Sequence, residues 1–239
     1  MALQFQNQVP DLLKRKVAEL RICCPKEHFI NYNFETWERC FTSDKDLTEI
    51  KRRFGQSLSR GNVCALGIEA KTEPLSVRRF AMAVMMWGYG TVRYGANRTS
   101  KMLAHSQATE RLIRGAGLVQ IGELVEACLF FRGLGALSQF SWSFFTKYFY
   151  FVGLASGLDP MPLILDGNNR ENGVAGGMKQ LADAGNQGAA RAMQLWWSSV
   201  DQRSAEGYAL YVELVNGWAH DLGCRPDAIE MILWKGFNR

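Results

Sequence analysis

Phe144-Phe145-Thr146-Lys147-Tyr148-Phe149-Tyr150-Phe151-Val152-Gly153, followed by Pro162-Leu163-Ile164-Leu165-Asp166, carries the most information in this chain. The apolar stretch from Phe140 to Ala155 is too short to cross a bilayer, which takes roughly 20 residues, and Lys147 interrupts it. It reads instead as a buried aromatic helix. A lysine among such neighbours is costly to leave charged and unpaired. Desolvation lowers an amine's pKa and makes the neutral form available as a nucleophile. A snorkelling lysine, stem on the core and head in water, is the other reading. Asp166 ends an apolar run and precedes Gly167-Asn168-Asn169. It either caps the next segment or stabilises positive charge beside a lysine. The residues alone leave both alternatives open.

Outward from this segment, helical spacing dominates. Pro10 and Asp11 open a helix with Leu12, Leu13, Val17 and Leu20 on one side. Ser43 caps a second, with Leu47, Ile50 and Phe54 inward. Pro74 begins a third, which ends at Trp87-Gly88. Thr99 or Ser100 starts another that runs to Gly115-Ala116-Gly117, and residues 121–131 and 144–152 are helical. Residues 167–177 are rich in Gly and Asn and form a loop or broken helix. Further helices cover 189–200, 205–222 and 226–234. Only Val63 to Ala70 is ambiguous between helix and strand. The expectation is an all-α, two-lobed helical fold. It is one unit over 1–239, with an N-terminal helical lobe of about 1–73 packed on 74–239.

Among the 239 residues, 28 Lys and Arg against 23 Asp and Glu give a formal charge of +5. That excess fits an anionic partner without establishing one. The runs Lys14-Arg15-Lys16, Lys51-Arg52-Arg53 and Arg78-Arg79 each read most simply as solvated helix faces, as do the looser Arg93, Arg98 and Lys101. The six cysteines form no CxxC pair and no metal-ligand set, so they are expected to be buried free thiols, with no metal and no cofactor. The N-terminus shows no basic region followed by an apolar one. A soluble, cytoplasmic protein with no membrane association and no obligate protein partner is expected. His28, His105 and His220 are isolated, and the His-x-Glu and Pro-Cys-x-x-Cys signature of zinc deaminases is absent.

Several motifs together give the chain a family likeness. Thr146-Lys147 opens the aromatic helix, and an aspartate, Asp166, follows 19 residues later. Trp87-Gly88-Tyr89-Gly90 stands upstream with Tyr94-Gly95 just beyond, and Trp218-Ala219, Leu222-Gly223, Pro226-Asp227 and Ile229-Glu230 lie downstream. On these the chain resembles the helix-hairpin-helix DNA glycosylase superfamily, and within it the bacterial proteins with the 8-oxoguanine DNA glycosylase fold, over roughly residues 75–235. One departure is plain: the Gly-hydrophobic-Gly of that superfamily's hairpin is Gln139-Phe140-Ser141 here. The hydroxyls of Ser141 and Ser143 would then replace bare amides as phosphate donors.

The resemblance implies an enzyme that flips a modified base out of double-stranded DNA and cleaves its N-glycosidic bond. It makes Lys147 the attacking amine and Asp166 the stabiliser of the cationic sugar. Gln139, Ser141, Ser143, Thr146 and Arg170 become DNA contacts, and Trp87, Tyr89, Tyr94, Trp37 and Trp197 candidate walls of the base pocket. Strand cleavage by elimination would follow in a bifunctional enzyme. The expected substrate is a hypermodified cytosine, such as glucosylated hydroxymethylcytosine, in defence against phage; 8-oxoguanine repair is the alternative. A non-catalytic helical DNA-binding protein, with Lys147 snorkelling, is the rival from another class.

Overall fold

The computed structural model describes residues 8–166 and 172–237, and among these it is built from fourteen α-helices and one two-stranded sheet. In chain order the first elements are α1 (Asp11–Lys14), α2 (Val17–Ile22), β1 (Phe29–Asn31), α3 (Phe34–Cys40), α4 (Lys45–Phe54), β2 (Ser57–Ser59), α5 (Arg60–Thr72), α6 (Val77–Tyr89) and α7 (Gly95–Leu103). They are followed by α8 (Ala108–Gln120), α9 (Leu124–Arg132), α10 (Trp142–Ser156), α11 (Gly173–Asp183), α12 (Gln187–Trp196), α13 (Asp201–Leu222) and α14 (Pro226–Lys235). The fold is all-α, as expected.

Helix α10 is the axis of the molecule. Ten consecutive residues, Phe144 through Gly153, are buried, so this helix has no solvent face in its middle and must be surrounded. Helices α5, α6 and α8 pack on it. Helices α11 to α14 pack on one another, and α13 also lies against α9. Close approach is purchased with glycine: a Cβ on Gly67 of α5 would come within 2.9 Å of Ala155, and one on Gly153 within 2.4 Å of Pro162.

The boundaries differ from the sequence expectations for local reasons. The first helix is interrupted at Arg15-Lys16, giving α1 and α2. Asp44, not Ser43, caps α4, accepting from the amides of Asp46 (2.9 Å) and Leu47 (3.1 Å). Helix α6 runs past Gly88 and stops at Gly90, whose φ of 56° supplies the turn. The helix expected from Thr99 begins at Gly95 and breaks before α8. The ambiguous 63–70 segment is helical within α5, opened by a capping box between Ser59 and Asn62. The pairing of Phe29 with Ser59 and Asn31 with Ser57 was not anticipated; three-residue strands carry too little alternation to register. Cys64 and Cys128 are buried free thiols, but Cys24 is exposed. No helix among the described residues is long and apolar enough to cross a membrane, and no group of His, Cys, Asp and Glu is placed to hold a metal.

Candidate active site

Lys147 lies in the second turn of α10 and is only 4% exposed. Its ammonium donates to the carboxylate of Asp166 at 2.7 Å and to the carbonyl of Ser143 at 2.9 Å, and it sits 5.3 Å from the centre of the Phe144 ring. The Asp166 side chain is one-third exposed, so the pair is open to solvent from the aspartate side. This is not the snorkelling lysine that the sequence left open. It is a cation held on an apolar helix by one carboxylate.

The segment carrying Asp166, residues 161–166, lies outside every described helix and strand, so its backbone groups need other partners. Thr146 accepts from the amide of Leu165 (3.2 Å) and donates to the carbonyl of Trp142 (2.8 Å). Tyr208 and Tyr211 of α13 donate to the carbonyls of Leu163 (2.9 Å) and Ile164 (3.0 Å). Asn216 exchanges two bonds with Met161, at 2.9 and 3.0 Å. Four side chains therefore fix where Asp166 begins. On the other side, Gly88 brings α6 against the lysine: a Cβ there would lie 2.9 Å from the Phe144 ring and 3.1 Å from Cδ of Lys147.

Lys147 and Asp166 border a cavity of about 220 Å³. Its walls include Trp87, His28 and the half-exposed Trp234. His28 stands edge-on to Trp87 with centroids 5.6 Å apart, and 6.4 Å from Trp234. The most buried charged lining residues are Arg60 and Glu230, joined by bonds of 2.7 and 3.3 Å. The guanidinium lies over the rings of Trp87 (5.1 Å) and Tyr150 (4.9 Å). Burial works against both charges. For Arg60 the pull of Glu230 outweighs it and the pKa is raised. For Glu230 burial outweighs the pull of Arg60, and the carboxyl titrates above its ordinary range. Burial, then the charges of Arg60 and Lys235, push the His28 pKa down, so the ring is neutral at pH 7.

Of the aromatic residues expected in the pocket, Trp87 lines it. Tyr89 packs behind the lysine, 4.2 Å from Phe144, and Tyr94 stands edge-on to Tyr89 (5.8 Å) and is exposed. Trp37 and Trp197 do not belong to the pocket. Trp37 is buried against Phe41 next to α3, and Trp197 stacks on Trp196 after α12; both sit where core and surface packing put them. Thr146 is fully buried and spends its hydroxyl on backbone, so it is no phosphate contact. Gln139 and Ser141 are exposed in the turn between α9 and α10. Gln139 holds a φ of 65°, a conformation glycine adopts freely, at the position where the superfamily's hairpin carries one. Ser141 is the N-cap residue of α10, with its hydroxyl uncommitted to the cap. Ser143 contributes its carbonyl to Lys147. Arg170 lies outside the described residues. His28, Arg60, Glu230 and Trp234 were not foreseen. A charged Glu230 amid Ile229, Ile232 and Leu233 was the one available signal.

Most of the basic runs are neutralised locally. Arg78 pairs with Asp44 and Asp46, Arg52 with Glu49, Arg53 with Glu69, and Lys14 with Asp11. Arg93, Arg98 and Lys101 form no ion pair among the described residues, and Arg98 lies over Tyr94.

Residues 24–234 match the model of a family described as "Putative 8-oxoguanine DNA glycosylase OGG-like protein". The chain belongs to this family. A search of curated proteins and one of solved structures found no match. The family's span takes in every pocket residue from His28 to Trp234, including the segments 24–74 that the motif resemblance left out.

Proposed function

We propose that the protein is a DNA glycosylase in which Lys147 displaces a damaged or modified base flipped from double-stranded DNA into the 220 Å³ cavity. The observation that carries this is the buried Lys147 ammonium, 2.7 Å from the partly exposed Asp166, at the edge of an aromatic-walled pocket. Asp166 takes a proton from the ammonium, leaving a neutral amine. Nζ attacks the anomeric carbon, and the bond from that carbon to the base breaks. The electron pair leaves with the base, which takes up the proton that Asp166 removed. The sugar ring opens to a Schiff base on Lys147, and hydrolysis yields an abasic site. Trp234 and Trp87 offer the base apolar faces, and stacking of this kind offsets part of the cost of extrusion. The unpaired Arg93, Arg98 and Lys101, with Ser141 at the start of α10, are the candidate phosphate contacts.

The cavity volume lies below the roughly 300–1,000 Å³ usual for drug-sized ligands. It fits a bare base better than one carrying a hexose, which favours 8-oxoguanine over glucosylated hydroxymethylcytosine. The test is borohydride trapping on 8-oxoguanine DNA. Wild type becomes covalently linked, Lys147→Gln does not, and Asp166→Asn binds the DNA without releasing base. Undiminished trapping by Lys147→Gln would assign the chemistry to another amine.

A further inference from the structure

A buried ion pair seldom stabilises a fold better than apolar residues of the same volume. The side chains of the Arg60–Glu230 pair are only 3% and 2% exposed, yet the pair lines the cavity rather than filling a core. It joins the start of α5 to α14, residues 170 apart in sequence, and the rings of Trp87 and Tyr150 hold the guanidinium in place. Its hydrogen-bonding capacity is not exhausted. Each Glu230 oxygen takes one bond from Arg60 and keeps a lone pair. Arg60 Nε has no partner among the described residues, and neighbouring Tyr150 commits its hydroxyl to Asp227 at 3.0 Å. Trp87 Nε1 and His28 Nδ1, on two more lining residues, are likewise buried without a partner. Buried polar groups of this kind ordinarily have partners.

The lining thus offers a pair of carboxylate acceptors, with the donors Arg60 Nε and Trp87 Nε1 buried behind it. The complementary edge carries two adjacent N–H donors. Guanine has that edge, in N1–H and the 2-amino group. Cytosine offers one amino donor beside two acceptors, and uracil one N–H between two carbonyls. We infer that Glu230, held by Arg60, is the specificity-determining residue of the pocket and reads the N1–H and 2-amino donors of a guanine-type base. This rests on the glycosylase reading above. It predicts that recognition is anchored on the amino-lactam edge, so that loss of the 2-amino group is felt directly at Glu230.

The experiment compares single-turnover release of 8-oxoguanine and of 8-oxohypoxanthine, which lacks only the 2-amino group, by wild type and Glu230→Gln. A ratio of two substrates within one protein is independent of the fraction folded. Wild type should prefer 8-oxoguanine by about 100-fold or more, as sites built around a hydrogen bond do. Glu230→Gln should bring the ratio to within about 10-fold of unity. Equal release of the two bases by wild type, or an unchanged ratio in the variant, overturns the inference and leaves the glycosylase reading standing. Release of neither base also overturns it. If wild type in addition fails to trap on a synthetic abasic site with borohydride, the glycosylase reading falls too.

Discussion

Thr146→Val removes one hydroxyl from a fully buried position and keeps the side chain's shape. The hydroxyl accepts from Leu165 N–H at 3.2 Å and donates to the carbonyl of Trp142 at 2.8 Å. The Trp142 carbonyl loses an extra partner, but the Leu165 amide is left unsatisfied beside a residue only 1% exposed. Stranding a buried donor costs about 1–3 kcal/mol. For a chain of 239 residues that lowers the melting temperature by roughly 2–12 °C, taking about 2–4 °C per kcal/mol. The larger effect falls on catalysis. Leu165 is the residue before Asp166, and misplacement of a reacting group by about 1 Å can cost 10²-fold in rate. Single-turnover base release by Thr146→Val at a temperature where it is folded should therefore fall by about 10- to 100-fold with DNA affinity unchanged. Thr146→Ser, which keeps the hydroxyl, should recover most of it. A Thr146→Val protein that releases base at the wild-type rate but binds DNA weakly would refute this and restore Thr146 as a DNA contact.

Gly88→Ala places a Cβ 2.9 Å from the Phe144 ring and 3.1 Å from the Lys147 stem, so the lysine must shift. Alanine favours a helix by about 1 kcal/mol, so melting will register little, whereas the single-turnover rate should drop at least about 10-fold. Gln139→Gly relieves a left-handed backbone at φ 65° and should raise stability by about 1 kcal/mol, read from the urea midpoint. His28 titrates below its ordinary value, so the unfolded chain binds its proton first as pH falls. Its contribution is intact above about pH 6.5 and is lost as pH drops from there toward the depressed value. The melting temperature should consequently fall less between pH 7 and pH 5 in His28→Gln than in wild type.

The helical class was legible because runs such as Ala81 to Met86 and Phe144 to Val152 leave no alternation for a strand. Lys147 and Asp166 were legible as a pair of oddities, a cation and an anion each bordered by apolar residues. What joins them was not. Thr146 sits beside the lysine in sequence and looked like a DNA contact, but its role depends on where Leu165 returns after a turn of chain, which no local pattern states. Two of the expected pocket aromatics lie elsewhere for a related reason, while Trp87 lines the cavity. Trp37 and Trp197 have the chemistry of pocket walls, yet burial against Phe41 and Trp196 is equally what tryptophans do. Arg60 was missed because it is an ordinary charged residue until its partner, 170 positions away, is known, and Glu230, though set among apolar neighbours, does not say where that partner lies.

The cavity takes lining from residue 28 through residue 235, with contributions from β1, α5, α6, α10 and α14. A chain emerging from the ribosome holds Lys147 long before Glu230 and Trp234 exist, and until Pro226–Lys235 has docked there is an amine but no receptacle for a base. A half-made or C-terminally clipped polypeptide therefore carries the Lys147 amine without the wall of Glu230 and Trp234 beside it, because that wall arrives only with α14.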